Sequence, residues 1–433
     1  MQRYEEYKKT DVAWAKEIPK TWSVRRGKTI LTLLSRPIKD DDEIITCFRD
    51  GVVTLRKNRR EEGFTIALRE AGYQGIEPGD LVVHGMDGFA GSIGISDSRG
   101  KATPVLNVLD STQNKRFLMY YLRSLAYSDV FMSLSTGIRV RSCDLRWNKL
   151  AVLPFVLPSE EEQESIVAYL DEKCKIADSI IEDQKIIIEE YKKWKASIIT
   201  ETVTCGLRAN RKHKTVNLEW ITDIPDDWEV YRLKSLFSFG KGLPITKDNL
   251  AENGVPVISY GQIHAKYNTG TGLSESLMKY VPEGYLESNP DSLVNKGDIL
   301  VADTSEDVEG CGNSVYVDKD MKLFAGYHTI ILKSLIGEDN KFLAYLFKSD
   351  VWRSQIWTRV SGVKLFSVSK KILNIVSVIM PPEEECKEIV SFLDEKCSLI
   401  DSIIAEKQDM IENLENYKKS LIEETIMGKR KVV

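Results

Sequence analysis

The chain has 433 residues, of which 42% are hydrophobic and 29% are charged, and its formal net charge is −5. This length predicts two or three domains with cores of their own, and the low content of glycine (27) and proline (13) excludes a largely disordered or collagen-like protein. The longest strongly apolar stretches, near 150–158 and 372–381, are much shorter than the roughly 20 residues that span a bilayer, so no membrane association is expected.

Two stretches of the chain predict mixed α/β globules. Short apolar segments alternate there with turns rich in glycine, asparagine and aspartate, and a helix follows near the end of each stretch. The predicted strands are Ile44–Phe48, Leu81–His84, Gly254–Ser259, Asp298–Val301, Val315–Val317 and Thr329–Leu332, and the predicted helices are Lys115–Tyr127 and Asn340–Arg353.

Each globule is followed by a long segment that predicts one continuous helix. Pro158 and Pro381 precede acidic starts, and neither glycine nor proline interrupts the next 45 or so residues. Steps of four and three residues give a mostly apolar seam over more than four heptads, which indicates a coiled coil. The predicted seam residues are Leu170, Cys174, Ala177, Ile181, Ile188, Tyr191 and Ile198, then Leu393, Cys397, Ile400, Ile404, Ile411, Leu414 and Leu421.

The two long segments are copies of each other. Residues 158–204 align without a gap with residues 381–427 at an offset of 223, and 22 of the 47 positions are identical. Polar residues interrupt the seam at matching places, Gln184 with Lys407 and Lys195 with Lys418. The lysine stems could simply cover apolar surface, or the lysines could fix register and partner, and the sequence leaves both interpretations open.

A second repeat opens each half, where Trp14, Ile18-Pro19 and Trp22 correspond to Trp220, Ile224-Pro225 and Trp228. The chain therefore divides into a globule (1–157), a helix (158–206), a second globule (207–380) and a second helix (381–433). The predicted fold is α/β (α+β), with two globules joined and spaced by two long helices that pair as an antiparallel coiled coil with internal two-fold duplication.

Charge is distributed unevenly along these four parts. Residues 1–157 hold 25 Lys and Arg against 19 Asp and Glu, whereas residues 158–205 hold 6 against 12. A cluster of cations suits a surface that contacts DNA phosphates, although a solvated charged surface would have the same composition. The candidate DNA-binding residues are Arg49, Arg56, Lys57, Arg59, Arg60, Arg139, Arg141 and Arg146 in the first globule, and Arg353, Arg359, Lys364, Lys370 and Lys371 in the second.

Several motifs of catalysis and metal binding are missing from the sequence. There is no GxxxxGK[ST] phosphate loop, no GxGxxG after a strand, no NPPY-like tetrapeptide and no HExxH. The seven cysteines include no CxxC pair, which argues against a disulfide scaffold or zinc site and favours a reducing cytoplasm. We therefore expect no catalytic residue, no metal site and no bound cofactor.

The pattern of the whole chain resembles the specificity subunit of type I restriction–modification systems. The strongest evidence is the pair of globule-to-helix junctions, PFVLPSEEEQESIVAYLDEK (154–173) and VIMPPEEECKEIVSFLDEK (378–396). Both are similar to the family's apolar–Pro–Pro–x–x–Glu–Gln pattern, except that Cys386 replaces the glutamine in the second copy. The opening segments IPKTWSVRR and IPDDWEVYR are similar to the start of each half in that family.

This resemblance implies a non-catalytic subunit with two target-recognition domains, each recognising one half of a bipartite site in double-stranded DNA. The helical pair would set the gap between the half-sites and bind two modification (methyltransferase) subunits, which use S-adenosylmethionine to methylate adenine. Restriction (motor–nuclease) subunits, which use ATP and Mg, would complete the restriction enzyme. The loops that contain Arg139 and Lys364 are expected near DNA, and exposed apolar residues such as Ile186, Ile187 and Trp194 are expected to face the partners.

Two other classes of protein remain as alternatives. A DNA adenine methyltransferase or nuclease with drifted motifs would need a cofactor pocket, which the missing motifs disfavour. A structural coiled-coil scaffold would not require two large divergent globules.

Overall fold

The computed structural model describes residues 3–59, 70–133, 145–337, 339–362 and 364–432. The chain forms two compact units. Unit 1 comprises Met1–Lys185 and Gln408–Val433, and unit 2 comprises Ile186–Lys407. Each unit therefore contains one globule together with segments of both long helices. The division of the chain into four parts at 157, 206 and 380 stays a prediction.

In their described residues, the first globule and the helix that follows it contain twelve strands and four helices. The strands are β1 (Tyr7–Val12), β2 (Ala15–Pro19), β3 (Ser23–Arg26), β4 (Leu31–Leu33), β5 (Ile45–Cys47), β6 (Val53–Leu55), β7 (Gln74–Ile76), β8 (Leu81–His84), β9 (Ile93–Ile95), β10 (Gly100–Ala102), β11 (Leu106–Ser111) and β12 (Pro154–Leu157). The helices are α1 (Lys115–Tyr127), α2 (Val130–Ser133), α3 (Trp147–Leu150) and α4 (Glu160–Cys205).

The rest of the chain contains fourteen strands and seven helices in its described residues. The strands are β13 (His213–Thr215), β14 (Asp223–Pro225), β15 (Glu229–Arg232), β16 (Phe237–Lys241), β17 (Val255–Ile258), β18 (Lys279–Val281), β19 (Leu293–Val294), β20 (Ile299–Ala302), β21 (Thr304–Ser305), β22 (Ser314–Tyr316), β23 (Leu323–Ala325), β24 (Thr329–Ser334), β25 (Phe366–Ser367) and β26 (Ser377–Met380). The helices are α5 (Leu233–Leu236), α6 (Tyr260–Ile263), α7 (Tyr285–Ser288), α8 (Lys341–Lys348), α9 (Asp350–Trp357), α10 (Lys370–Ile375) and α11 (Glu383–Ile426).

The central sheets of the two globules have the same topology, although their sequences are barely related. The strand order is β4-β11-β8-β9 in unit 1 and β16-β24-β20-β22 in unit 2, and all neighbours are antiparallel. The opening strand of each half also pairs with the strand before the long helix, β3 with β12 and β15 with β26. The duplication therefore includes the globules, and the predicted fold class is confirmed.

The predicted helix Asn340–Arg353 is wrong in one respect, because the structure has two helices there. Ser349 separates α8 from α9 with an extended backbone (φ −76°, ψ 132°). Its hydroxyl accepts a hydrogen bond from the backbone N–H of Trp352 and so caps α9, which satisfies one of the free donors of that helix start. The apolar residues on both sides of Ser349 continue the helical pattern in sequence and conceal the break.

Each long helix ends at a glycine in the left-handed conformation. Gly206 follows α4 with φ +75°, and Gly428 follows α11 with φ +70°. Such a residue at the end of a helix turns the chain without the penalty that a Cβ would impose. A Cβ on Gly428 would also collide with Pro19 and touch the ring of Trp22, so the end of α11 packs tightly on the opening segment of unit 1.

Within each unit the two helix segments run antiparallel. Lys195 Nζ lies 2.7 Å from both carboxylate oxygens of Asp401 in unit 2, and Lys418 pairs with Asp178 in unit 1. The two lysines are related by the offset of 223, and so are the two aspartates, so the duplicated helices make the same ion pair twice. Both lysine side chains are 22% exposed, which means that their stems cover apolar surface while their ammonium groups pair across the helices.

The predicted seam residues are buried to different degrees. The buried ones are Leu170, Cys174, Ala177, Ile181, Ile188, Leu393, Cys397, Ile400, Ile411 and Leu421, and the half-buried ones are Tyr191, Ile198, Ile404 and Leu414. Near the end of α4, Ile199 and Val203 lie in the core instead of Ile198, because that end packs against the second globule.

A repeated aspartate attaches the globule of each unit to its long helix. In unit 1, Asp171 accepts hydrogen bonds from Tyr120 Oη (2.8 Å) and Arg116 Nη2 (2.6 Å) of α1. In unit 2, Asp394 accepts from Tyr345 Oη (2.6 Å) and Lys341 Nζ (2.7 Å) of α8. The repeated LDEKC segment thus supplies the same anchor twice.

The Glu-Gln pair of the first junction also has a structural role. Glu162 accepts a hydrogen bond from Tyr4 Oη (2.6 Å), and the fully buried Gln163 binds Gln113 Oε1 (2.8 Å) and the Pro158 carbonyl (3.1 Å). In the second copy the buried Glu385 pairs with Arg211, and the thiol of Cys386 donates to the Pro381 carbonyl (3.5 Å), which corresponds to the Pro158 carbonyl of the first copy.

Candidate nucleic-acid interface

The predicted cations of the first globule lie around the hairpin of β5 and β6. Arg49 follows β5, and Arg56, Lys57 and Arg59 follow β6. A cleft of about 880 Å³ is lined by Arg49, Arg56 and Arg59. Arg60 lies outside the described residues.

The arginines of this cleft make contacts that a phosphate could replace. Arg49 Nη2 lies 3.1 Å from Asp87 Oδ1, and Arg59 Nη1 lies 2.7 Å from Asp50 Oδ2. The two arginine side chains are 68% and 40% exposed. Because exposed ion pairs contribute about 0–1 kcal/mol, exchange of the carboxylates for DNA phosphates would cost little.

His84 lies in the same cleft, at the end of the central strand β8. Its Nδ1 accepts hydrogen bonds from the backbone N–H groups of Asp87 (2.9 Å) and Met86 (3.2 Å). Burial lowers the pKa of His84 below its ordinary value, Asp87 opposes that effect, and Arg49 adds to it. A neutral His84 with Nδ1 as acceptor therefore carries its proton on Nε2.

Arg146 lies at the same end of the central sheet. It precedes α3, it is exposed, and its Cγ would lie 3.5 Å from a Cβ placed on Gly85, the residue after His84. Arg139 and Arg141, and with them the loop Thr136-Gly137-Ile138-Arg139, fall outside the part of the chain that the structure describes.

The predicted cations of the second globule serve mainly in internal contacts. Arg353 Nη2 donates to Asn313 Oδ1 (2.9 Å), and its side chain also reaches the carbonyls of Glu309 and Cys311. Burial lowers the pKa of this guanidinium, with Asp350 opposing the effect, and its contacts fix the loop that precedes β22. The composition of the sequence could not reveal that Arg353 is a structural residue.

The remaining predicted cations of unit 2 divide into paired and exposed residues. Arg359 pairs with Glu219, and Lys370 Nζ donates to the Phe239 carbonyl (2.7 Å). Lys364 and Lys371 are exposed. Lys364 immediately precedes Leu365 and β25, a strand that pairs with β21.

Sequence reasoning missed a cluster of aromatic side chains in unit 2. Tyr260, Tyr327 and His328 contact one another, with ring centroids 3.9–6.3 Å apart. They come from two segments, with Tyr260 in one and the adjacent Tyr327 and His328 in the other, and such residues carry no signal in a single sequence. Only the fold brings them together.

Metal ligands and membrane-spanning helices would each leave a recognisable arrangement of side chains. Across 3–59, 70–133, 145–337, 339–362 and 364–432, no three His, Cys, Asp or Glu side chains are arranged to hold a metal ion. In the same ranges no helix combines the length and the apolar character needed to cross a bilayer.

Comparisons with known proteins agree with these features. Residues 225–413 match the family model of the type I restriction modification DNA specificity domain. The type I restriction enzyme MjaVIII specificity subunit of Methanocaldococcus jannaschii is 26% identical over 280 residues, which cover 64% of this chain and 62% of that protein. The match thus spans less than two thirds of that relative. The putative type I restriction enzyme MjaX specificity subunit of the same organism is 24% identical over 428 residues, or 90% and 89% of the two chains.

A solved structure described as "Structural basis underlying complex assembly and conformational transition of the type I R-M system" has a similar fold. It superimposes with a TM-score of 0.67 at 14% identity and covers 94% of this chain and 98% of its own. Two α/β globules of one topology, each built on segments of the same antiparallel helices, define a duplicated chain, and its second half matches the model of a DNA specificity domain. The chain is therefore similar to the specificity subunits of type I restriction–modification systems.

Proposed function

We propose that this chain determines the DNA sequence on which a type I restriction–modification enzyme acts. Each globule would recognise one half of a bipartite site, and the chain itself would carry no catalytic residue. The duplicated sheet order is the observation that carries this proposal. A shared framework with different side chains at corresponding ends is what recognition of two different half-sites requires.

The basic cleft of unit 1 supports contact with DNA. Arg49, Arg56 and Arg59 converge there, with His84 at the end of β8. Arginine side chains suit both phosphates and the acceptor groups of guanine, so one cleft can both position the protein and contribute to specificity. The negative charge of the whole chain does not oppose this function, because most of it belongs to the long helices.

The long helices would set the gap between half-sites and bind partner subunits. At matching places they expose apolar side chains, Ile176 (48%) with Leu399 (53%) and Trp194 (53%) with Tyr417 (50%). Ile186 is also 52% exposed. Duplicated apolar patches suit two copies of one partner, so we assign them to two modification subunits that use S-adenosylmethionine. Restriction subunits, with ATP and Mg, would complete the enzyme in the cytoplasm.

Co-expression with the modification subunit tests the proposal. The purified complex should methylate adenines in one bipartite motif, and sequencing of methylated DNA would show both half-sites and the gap. Arg49→Gln with Arg59→Gln should weaken DNA binding and reduce its salt dependence, whereas Arg25→Gln, an exposed arginine on β3, should change neither. Methylation without a bipartite motif would contradict the proposal.

Binding of S-adenosylmethionine distinguishes the alternatives. If the isolated chain bound the labelled cofactor with a defined stoichiometry, the chain would be a methyltransferase with drifted motifs. If the chain and its complex failed to shift DNA at low salt, a structural scaffold would be the better interpretation.

A further inference from the structure

The end of the central sheet in unit 2 presents aromatic and imidazole groups in place of arginines. Tyr260 begins α6, directly after β17, and Tyr327 and His328 precede β24. Tyr260 is 38% exposed and Tyr327 is 43% exposed, while 33% of the His328 side chain is exposed. Among the described residues, neither tyrosine hydroxyl makes a hydrogen bond and His328 Nε2 has no partner.

The backbone holds this cluster in place. The N–H of Tyr260 donates to the Tyr327 carbonyl (3.0 Å), and the N–H of Tyr327 donates to Ser259 Oγ (3.2 Å). His328 has φ +54°, a conformation that is uncommon for residues other than glycine. Its Nδ1 lies 2.8 Å from Asp303 Oδ1, so the carboxylate fixes the ring and directs the other ring nitrogen away from itself.

This end of the sheet corresponds to the cleft end in unit 1. The N–H of Gly85, after β8, donates to the Val105 carbonyl (2.8 Å). In the same way the N–H of Asp303, after β20, donates to the His328 carbonyl (3.0 Å). The carbonyl of Gly85 then accepts from Leu145, and that of Asp303 accepts from Val368, both at 2.8 Å. Asp303 and His328 therefore occupy the places of Gly85 and Val105, next to the position of His84.

Three lysines lie on segments next to those that carry the aromatic cluster. Lys241 ends β16 and pairs across the sheet with Ile330, two residues after His328. Lys266 follows His264 by two residues, and Lys364 precedes the strand that pairs with β21. All three lysines are exposed. Such an arrangement suits phosphate contacts around a central surface that meets the bases.

His264 belongs to the frame of the cluster. Its Nε2 lies 2.8 Å from the Thr304 carbonyl, and its Nδ1 lies 3.0 Å from Asn313 Nδ2. The carbonyl can only accept and the amide nitrogen can only donate, so in this arrangement Nε2 donates and Nδ1 accepts. Both of its nitrogens are used, which leaves Tyr260, Tyr327 and His328 to meet a ligand.

We propose that Tyr260, Tyr327 and His328 contact base edges of the half-site that unit 2 recognises, and that Asp303 positions His328. The inference rests on the proposed function and adds to it the specificity residues of one globule. The hydroxyls and the imidazole nitrogen can each exchange a hydrogen bond with a base edge in the major groove, and the rings can pack against a thymine methyl group. The lysines would contact phosphates and carry no sequence information.

Conservative variants in the complex with modification subunits test this inference. Tyr260→Phe and Tyr327→Phe keep the rings, and His328→Asn keeps a residue that tolerates the left-handed backbone. Methylation of a DNA library with both half-sites randomised gives the preference at each position. Loss of one hydroxyl contact should reduce discrimination by about 2- to 10-fold at one or two base pairs of a single half-site. Tyr231→Phe, on β15 and 41% exposed, is the matched control and should change no position.

Each outcome distinguishes the inference from the proposed function. A change confined to one half-site, with the other unaltered, supports the inference. If the wild-type complex recognises a bipartite site and the three variants keep the same preferences, the inference is wrong and the proposed function stands. If the variants weaken binding equally for all sequences, as Lys364→Ala should, the cluster contacts only the backbone and the inference is again wrong. If the wild-type complex shows no bipartite site, the proposed function itself fails.

Discussion

Removal of the anchor charge at Asp171 should destabilise unit 1 measurably. The carboxylate accepts hydrogen bonds from Tyr120 and Arg116, and 34% of its side chain is exposed. A hydrogen bond to a charged group contributes about 1.5–3 kcal/mol when buried, and exposure reduces that contribution. Because asparagine keeps the size and one acceptor oxygen, we expect Asp171→Asn to lower the free energy of unfolding by about 1–2 kcal/mol.

Calorimetry and urea unfolding would measure this loss. For a unit of roughly 200 residues, each kcal/mol shifts the melting temperature by about 2–4 °C, so a decrease of about 2–8 °C is expected in the transition of unit 1. Glu172→Gln is the matched control, because Glu172 is the next residue, is 62% exposed and pairs only with the adjacent Lys173 among the described residues. Equal effects of the two substitutions would refute the anchor. Asp394→Asn should have a similar effect in unit 2, since Asp394 makes the equivalent contacts.

Three further predictions follow from the geometry and the burial of single groups. Four residues added to each long helix, at positions that face each other, should lengthen the helix pair by about 6 Å. The preferred gap between the DNA half-sites should then grow by one or two base pairs while both half-site sequences stay the same. Methylation mapping would measure the gap, and an unchanged gap would argue against the spacer function. Burial and the hydrogen bonds to aspartate raise the pKa values of Tyr120 and Tyr345, so the stability that these tyrosines contribute to the fold is complete below pH ~10 and is lost as the pH rises above it. In urea unfolding at pH 8–11, the free energy of unfolding should therefore decrease less steeply with pH when both tyrosines are replaced by phenylalanine. Burial, assisted by a neighbouring carboxylate, raises the pKa of Cys386 to about 12, whereas Cys205 is exposed. In a Cys143→Ser background, iodoacetamide at pH 8 should therefore modify Cys205 first, as followed by mass spectrometry. Equally fast modification of Cys386 would contradict its burial.

The long helices were predictable from sequence because their signal is local and repeated. A proline, an acidic first turn and an apolar period of 3.5 residues occur in both copies, and α4 and α11 start within two residues of those prolines. The helix break at Ser349 was missed because apolar residues recur at helical spacing before and after it, although a serine followed by Asp350 is itself a suitable helix start.

The shared topology of the globules and the second candidate site had no comparable signal. Strands of three to six residues pair across long stretches of chain, and the sequences of the two sheets diverged while their hydrogen-bonded order remained. Charge density identified Arg49 and Arg59 correctly as neighbours of one cleft, because they are close in sequence as well as in space. The same criterion selected Arg353, which is buried against backbone carbonyls, and overlooked Tyr260 and Tyr327, which meet only in the fold.

The pattern of identity between the two halves separates the frame from the proposed recognition surface. Asp171 and Lys195, with their equivalents Asp394 and Lys418, attach the globules to the helices or pair the helices with each other, and these residues recur in both copies. The ends of the central sheets, by contrast, carry arginines in unit 1 and aromatic side chains in unit 2. Substitutions at the sheet ends leave the anchors and the helix pairing intact, so a duplicated chain can acquire two different DNA specificities without losing its fold. For the same reason, replacement of one globule, joined at its contact with the long helix, should change the sequence of one DNA half-site and leave the other half-site unchanged.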